Sequence, residues 1–179
     1  APMALLDAGY ASRNENGYSI EELAEAGGEI AECTHKHPLG FLPASLLTVL
    51  LYKVVPMSVK QVQEEIDDIV ADTLNILNRI YKGKYESDKR YLKELTEMAL
   101  LLAHSNISDA DAIRQLGEGW TAEETWAIAL FCAIRHIDSV ENAIIASVNH
   151  DGDSDSTGSV CGNIMGAIYG YEHIKERNI

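Results

Sequence analysis

The chain has 179 residues, with 28 Asp and Glu against 14 Lys and Arg and a formal net charge of −14. This length suits one domain with a sizeable core, and a hydrophobic content of 46% argues against global disorder. The acidic excess excludes a nucleic-acid surface, and no apolar run is long enough for a transmembrane helix, so we expect no nucleic-acid or membrane partner. Three widely spaced cysteines without a CxxC pair favour reduced thiols and a cytoplasmic location.

Helical periodicity runs through most of the sequence. The apolar segment 39–55 predicts a buried helix, in which Pro43 is tolerable only in the first turn. Ser58 and Gln61 form a capping-box pattern that begins an amphipathic helix ending before Gly83. Further helix starts are predicted at Ser87, at Ser108, at Thr121 (with Glu124 as a second capping box) and at either Asp138 or Ser139. The sequence therefore predicts an all-α fold of about eight helices, forming one domain over residues 1–179.

Acidic residues are most concentrated in the segment 149–158, which we call the acidic segment. Asp151, Asp153 and Asp155 alternate there with other residues, and Ser156 follows. Carboxylates at this spacing repel one another unless a cation or strong hydrogen-bond donors satisfy them. Their oxygens are hard ligands that suit Mg²⁺, Ca²⁺ or Mn²⁺, so the segment is a candidate metal site.

Two other interpretations of the acidic segment compete with a metal site of this kind. An EF-hand loop starting at Asp151 would need Gly at its sixth position and Glu at its twelfth, but Ser156 and Gly162 stand there. A helix N-cap at Asp153, Asp155 or Ser156 would explain one or two of the acidic residues more readily than all three. The EF-hand pattern fails, whereas the N-cap remains open as part of the explanation.

Four glycines follow at helical spacing, at positions 158, 162, 166 and 170. Each costs about 1 kcal/mol of helix propensity relative to Ala, so close approach of a helix or a ligand must offset it. We expect close helix–helix packing at Gly166 and Gly170, and room for a substrate at Gly158 and Gly162. The side chains expected in the core are those of Cys33, Cys132, Cys161 and Trp126.

Three motifs in order along the chain resemble segments of the ADP-ribosylglycohydrolase family, which includes the dinitrogenase-reductase-activating glycohydrolases. The strongest is the C-terminal match, with Asn149, Gly152, Asp153, Asp155, Ser156 and Gly158, followed by Gly162 and Gly166. Thr34-His35 with Gly40 resembles a second family segment. Gly117-Glu118-Gly119-Trp120 with Ala122 and Glu124 resembles a third.

The resemblance implies an all-α fold, a pair of Mg²⁺ ions (or Mn²⁺), and hydrolysis that removes ADP-ribose from a modified side chain or a related ADP-ribosyl compound. An ADP-ribosylated protein or an ADP-ribosyl small molecule is then the expected partner. By motif position, the expected metal ligands are Asp153, Asp155 and Ser156, with Asp153 and Asp155 also catalytic. The expected substrate-binding residues are His35, Gly117, Gly119, Trp120 and Gly158. Asp151 stands where the family often has Gly or Ser, so it is not assigned to a metal.

One family feature is missing from this sequence. Family members carry a Thr-Asp-Asp-type segment that supplies further metal ligands, and the nearest pair here, Asp67-Asp68, lies in an amphipathic helix and is expected on its exposed face. The absence predicts a fragment, the C-terminal portion of a longer protein that lacks an N-terminal segment and has weak or no activity alone. The alternative is a non-catalytic remnant that binds ADP-ribose or a partner.

Overall fold

The computed structural model describes Ala4 and residues 17–176. These residues form nine helices and no strand. The helices are α1 (Ile20–Glu32), α2 (Pro38–Val54), α3 (Val59–Ile80), α4 (Glu86–Ala103), α5 (Asp109–Leu116), α6 (Ala122–Arg135), α7 (Val140–Val148), α8 (Ser154–Tyr169) and α9 (Tyr171–Glu176). The predicted all-α fold is confirmed for this part of the chain, and none of the described helices is long and apolar enough to cross a bilayer.

The chain divides into two compact units, residues 1–90 and residues 91–179, with the boundary inside α4. In the first unit α2 packs against both α1 and α3. Ala24, Val49 and Ile76, one from each helix, are fully buried together. Gly28 lets α1 approach closely, because a Cβ there would lie 2.5 Å from both the Ser45 hydroxyl and the Tyr81 hydroxyl.

In the second unit α6 is buried on nearly every side, from Thr125 to Ile134. Helices α5, α7 and α8 pack against it, and α7 also packs against α8. Trp126 is in the core, as predicted, and its indole N–H donates to the Thr96 hydroxyl of α4 at 3.0 Å. Arg135 at the end of α6 donates to the carbonyl oxygens of Ile107 at 2.5 Å and Ser105 at 2.9 Å. This guanidinium therefore fixes the α4–α5 connection and, with it, the start of α5.

Most of the predicted helix starts agree with the structure. The Ser58–Gln61 capping box is present, Ser108 caps α5, and Ser139 rather than Asp138 caps α7. The start at Ser87 is displaced by one residue, since α4 begins at Glu86. Pro43 lies beyond the first turn of α2, contrary to prediction, because that helix begins at Pro38 with His37 as its N-cap.

The three cysteines differ in accessibility. Cys132 and Cys161 are fully buried, as predicted, but the prediction for Cys33 is wrong, because it is the exposed C-cap residue of α1. Burial raises the pKa of the Cys161 thiol to about 11 and also raises that of Cys132. Both buried thiols are therefore protonated and shielded at neutral pH.

Thiol labelling tests this difference directly. A maleimide reagent at pH 7.5 is expected to modify one thiol, Cys33, in the native chain and all three thiols in denaturant, because the thiolate is the reacting species. Mass spectrometry counts the labels, and a Cys33→Ser variant, which should take up no label while native, is the control. Rapid native labelling of Cys161 would contradict the packing of α8.

Candidate metal centre

The acidic segment spans the connection between α7 and α8 and the first turn of α8. Asp153 occupies the N-cap position of α8, but its side chain makes no capping hydrogen bond. Asp155 lies in the first turn and is exposed. The N-cap interpretation is therefore confirmed for the position of Asp153, whose carboxylate lies beside the positive end of the helix dipole, and it leaves Asp155 unexplained.

The Asp153 carboxyl is influenced by its neighbours Asp155 and Ser156 in the first turn of α8. Hydrogen bonds from Asp155 and then from Ser156 hold the pKa of the Asp153 carboxyl below its ordinary value. Two carboxyl groups can share a hydrogen bond only when one of them carries a proton, or they can share a cation instead. A cation shared by the two carboxylates is therefore a candidate explanation for their proximity.

This donor set fits Mg²⁺ in chemistry but fills only part of its coordination shell. Two carboxylates and a hydroxyl are hard oxygen ligands, and Mg²⁺ requires about six in octahedral geometry. Within residues 17–176, no group of three or more His, Cys, Asp or Glu side chains is arranged to hold a metal ion. Asp153, Asp155 and Ser156 would therefore hold one face of the ion.

The Asp67-Asp68 pair is exposed on α3, as predicted.

The loop between α5 and α6, residues 117–120, lies directly against the acidic segment. We call it the glycine loop. The Asp153 amide donates to the carbonyl oxygen of Glu118 at 2.8 Å. A Cβ at Gly152 would lie 1.8 Å from that same oxygen, so the close approach requires glycine at this position. The structure thus brings together two motifs that are separated by about 30 residues in the sequence.

Glu124 holds the glycine loop from its other side. One of its carboxylate oxygens accepts the backbone N–H groups of Glu118 at 3.1 Å and Gly119 at 3.0 Å. The second predicted capping box is therefore wrong: Thr121 is the N-cap residue of α6 but makes no side-chain capping bond. The Glu124 side chain turns instead toward the loop, whose amide groups have no helical partner.

The two glycines predicted to bind substrate have structural roles in the glycine loop. Gly117 and Gly119 both have positive φ, at 128° and 81°, a region that favours glycine. A Cβ on Gly117 would lie 2.4 Å from the Glu124 carboxyl carbon, and one on Gly119 would lie 2.8 Å from the Thr157 methyl group. These contacts explain both glycines, and their predicted contact with substrate stays a prediction.

Buried hydrogen bonds connect the acidic segment to α7. The Thr157 hydroxyl donates to the Ser147 carbonyl oxygen at 2.7 Å and lies 2.9 Å from His150 Nε2. His150 Nδ1 accepts the Gly152 amide at 3.1 Å. Since Nδ1 is the acceptor, Nε2 carries the proton and donates it to the Thr157 hydroxyl, which fixes the tautomer of a neutral ring. These hydrogen bonds fix the backbone of the turn that precedes α8 and so the position of Asp153.

The four regularly spaced glycines at positions 158, 162, 166 and 170, which we call the glycine stripe, differ in part from their predicted roles. A Cβ on Gly158 would lie 2.6 Å from Val148 Cγ1, so this glycine serves the packing of α8 on α7, and its predicted role in substrate binding remains untested. The packing predicted at Gly166 and Gly170 is not found among the described residues, because a Cβ at either position would meet none of their atoms within 4 Å. Gly170 is instead the C-cap of α8, with φ of 75°.

The other two predicted substrate residues are accessible. Trp120 in the glycine loop is 67% exposed. His35 is exposed in the first unit, where its Nδ1 lies 2.8 Å from the Thr34 hydroxyl. A Cβ on Gly40 would lie 2.8 Å from the His35 Cβ, which explains the spacing of the Thr34-His35…Gly40 motif. Contact of either residue with substrate stays a prediction.

A cleft of about 510 Å³ opens beside the two loops. It is lined by Ala110, Ile113 and Arg114 of α5, by Gly117 and Glu118 of the glycine loop, and by residues 149–152. Its volume is within the range of small-molecule sites. A small ligand could therefore contact the glycine loop and the acidic segment together.

Sequence reasoning missed the roles that three residues have in building this centre: Glu118, Glu124 and His150. The signal for Glu124 was present but was assigned to the wrong partner, since a Glu three residues after Thr121 is typical of a capping box. Glu118 acts through its backbone oxygen, which no sequence pattern marks. His150 acts through a contact with Thr157 that depends on the turn between α7 and α8.

Comparison with known proteins identifies the family. The sequence matches the profile of ADP-ribosylglycohydrolase over residues 1–179. It is 23% identical to ADP-ribosylhydrolase ARH3 of Homo sapiens over 174 residues, covering 88% of this chain and 47% of the relative. It is 23% identical to ADP-ribosylhydrolase ARH3 of Mus musculus (88% and 46% covered) and 24% identical to that of Gallus gallus (80% and 43% covered).

No solved structure gave a significant match. The chain spans about half the length of the curated relatives that it matches. The profile match covers every residue, and the three motifs lie in the order that the resemblance required. The chain therefore belongs to the ADP-ribosylglycohydrolase family.

Proposed function

We propose that the protein carrying this chain is a Mg²⁺-dependent hydrolase that removes ADP-ribose from a modified protein side chain or a related ADP-ribosyl compound. The observation that supports it most is the placement of Asp153, Asp155 and Ser156 together at the start of α8, held against the glycine loop by the Glu118–Asp153 hydrogen bond. Family membership and relatives named ADP-ribosylhydrolases support the same reaction class.

The reaction breaks the bond between the ribose anomeric carbon and the side chain. The oxygen of water bonds to that carbon, and the leaving side chain takes up a proton. When bound, Mg²⁺ would orient water and the ribose hydroxyls and would stabilise developing charge. Asp153 and Asp155 would bind the ion as acceptors and do not serve as proton donors.

The two-carboxylate scheme of ordinary glycosidases does not fit Asp153 and Asp155. That scheme places the two carboxyl groups about 5 Å apart or more, on opposite sides of the sugar. Asp153 and Asp155 are instead two residues apart at the start of one helix, and they influence each other directly, so they are not placed to flank a sugar from opposite sides. Their geometry favours joint binding of a cation over an acid–nucleophile pair.

An ADP-ribose release assay tests the proposal. We expect the protein to release free ADP-ribose from an arginine-linked or a serine-linked ADP-ribosyl peptide with Mg²⁺ present. EDTA should abolish release, and excess Mg²⁺ should restore it. Comparison of the two peptides identifies the linkage that is cleaved.

Two results would contradict the proposal in different ways. Release that is insensitive to EDTA would exclude the metal requirement. ADP-ribose binding by calorimetry, without release from either peptide, would support the alternative of a non-catalytic binding protein. The matched control is a peptide that carries no ADP-ribose, which should give no product.

A further inference from the structure

The Glu124 side chain makes an unusual pair of hydrogen bonds for its position. It lies in the first turn of α6, half-buried, and a single carboxylate oxygen accepts two consecutive backbone N–H groups, those of Glu118 and Gly119. Hydrogen bonds to a charged acceptor are roughly twice as strong as neutral ones. The backbone of the glycine loop is therefore held by a charged group that lies outside the loop.

One peptide group connects Glu124 to the acidic segment. The Gly119 N–H and the Glu118 carbonyl belong to the same planar peptide unit, and they point in opposite directions because the bond is trans. The N–H side donates to Glu124 at 3.0 Å, and the carbonyl side accepts the Asp153 amide at 2.8 Å. Rotation of this plane would break both bonds together.

Thr125, a second residue of α6, holds the next peptide group, which joins Gly119 to Trp120. The Thr125 hydroxyl donates to the Gly119 carbonyl oxygen at 2.7 Å, and this Thr is buried. The Gly119 residue is therefore held at its N–H by Glu124 and at its carbonyl by Thr125. The glycine loop is rigid at the point where it contacts Asp153.

We propose that Glu124 is a positioning residue for the metal centre: its carboxylate orients the Glu118–Gly119 peptide, which holds the Asp153 amide and thereby the Asp153 carboxylate. This inference rests on the proposed function in assigning Mg²⁺ to Asp153. Glu124 itself is turned toward backbone amides and acts on the ion only through this peptide.

Three substitutions at position 124 separate the effect of holding the Glu118–Gly119 peptide from the effect of the negative charge. Glu124→Gln keeps the shape and one acceptor oxygen, Glu124→Asp keeps the charge on a shorter side chain, and Glu124→Ala removes the acceptor. Glu94→Ala is the matched control, because Glu94 is exposed on α4. Mg²⁺ affinity is measured by calorimetry on metal-free protein, and amide exchange at Glu118, Gly119 and Asp153 is measured by NMR.

We expect Glu124→Ala and Glu124→Asp to lower Mg²⁺ affinity 10- to 100-fold, the usual effect of losing a residue that orients a metal ligand. Amide exchange at Asp153 should become at least about tenfold faster in both, since its acceptor is no longer fixed. Glu124→Gln should stay within about threefold of wild type in both measurements, and Glu94→Ala should be unchanged. Saturating Mg²⁺ should restore most of kcat in Glu124→Asp.

Wild-type Mg²⁺ affinity in a folded Glu124→Asp or Glu124→Ala variant would overturn the inference and leave the proposed function standing. Equal losses of Mg²⁺ affinity in Glu124→Gln and Glu124→Ala, with wild-type amide exchange at Asp153 in both, would also overturn it, because Glu124 would then act on the ion through its charge and not through the held peptide. Absence of Mg²⁺ binding by the wild-type protein would refute the proposed function and with it the metal role of Glu124. If Glu124→Ala does not fold, the Asp and Gln variants decide between these outcomes.

Discussion

Replacing both Asp153 and Asp155 with Asn is expected to lower Mg²⁺-dependent ADP-ribose release about 1000-fold. The physical reason is loss of the anionic oxygens that hold the cation, whose contribution to the transition state is several kcal/mol, and about 4 kcal/mol corresponds to that factor. Asn keeps the size of Asp and one acceptor oxygen, so the variant should keep its fold. The measurement is kcat/KM for release at saturating Mg²⁺.

A thermal melt of the same variant separates a lost metal site from a lost fold. Wild-type protein should gain stability when Mg²⁺ is added, since a ligand at 100 times its Kd stabilises by about 2.7 kcal/mol. The double variant should melt like the metal-free wild type and should not respond to Mg²⁺. The control is Asp68→Asn with Asp138→Asn, two exposed aspartates on α3 and before α7, which should change neither measurement. Undiminished release by the Asp153/Asp155 variant would refute the assignment.

Gly152→Ala is expected to damage both the stability of the second unit and its metal affinity. The new methyl group would lie 1.8 Å from the Glu118 carbonyl oxygen, a backbone atom, so the two loops must separate and the Asp153 hydrogen bond must break. Overpacking and the lost hydrogen bond together cost about 3 kcal/mol. We expect the melting temperature to fall by roughly 10 °C and Mg²⁺ affinity to fall at least about tenfold.

Gly166→Ala is the matched control, made on α8 in the same unit. A Cβ there would meet no atom of the described residues within 4 Å, and the residue is helical, so Ala should raise stability by about 1 kcal/mol. Calorimetric melting and Mg²⁺ titration of both variants test the pair. A Gly152→Ala protein with wild-type melting temperature and Mg²⁺ affinity would contradict the described contact between the loops.

Features that depend on neighbouring residues in the sequence could be predicted. The capping box of Ser58 and Gln61 forms within one helical turn and needs no tertiary partner, so its pattern is sufficient. The same pattern at Thr121 and Glu124 gives a different structure, because the N–H groups of Glu118 and Gly119 compete for the carboxylate. Sequence spacing alone could not show that competition.

The glycine stripe of α8 illustrates what periodicity cannot resolve. Positions 158, 162, 166 and 170 are equally spaced, yet among the described residues only Gly158 lies in close contact with another helix, at Val148. Glycine is favoured at position 170 by the left-handed backbone at the helix end, and no described residue lies close to Gly166. Which glycine packs closely depends on where α7 crosses α8, which is a tertiary property.

The sequence indicated where the candidate site lies but not how it is built. Alternating carboxylates marked the acidic segment as a candidate metal site, and the family resemblance selected Asp153, Asp155 and Ser156 within it. The contact of this segment with Glu118 depends on two backbone groups and a glycine. Contacts between backbone groups are hard to predict from a sequence, and the one residue type that signals this contact is the glycine at position 152.

The most direct test is an anomalous difference map from a crystal soaked with Mn²⁺ in place of Mg²⁺. We predict a peak at bonding distance from carboxylate oxygens of both Asp153 and Asp155, with the Ser156 hydroxyl facing it. The peak should be absent from crystals of the Asp153→Asn, Asp155→Asn double variant. Mn²⁺ bound elsewhere in the wild-type protein, with no peak at Asp153 and Asp155, would contradict the account.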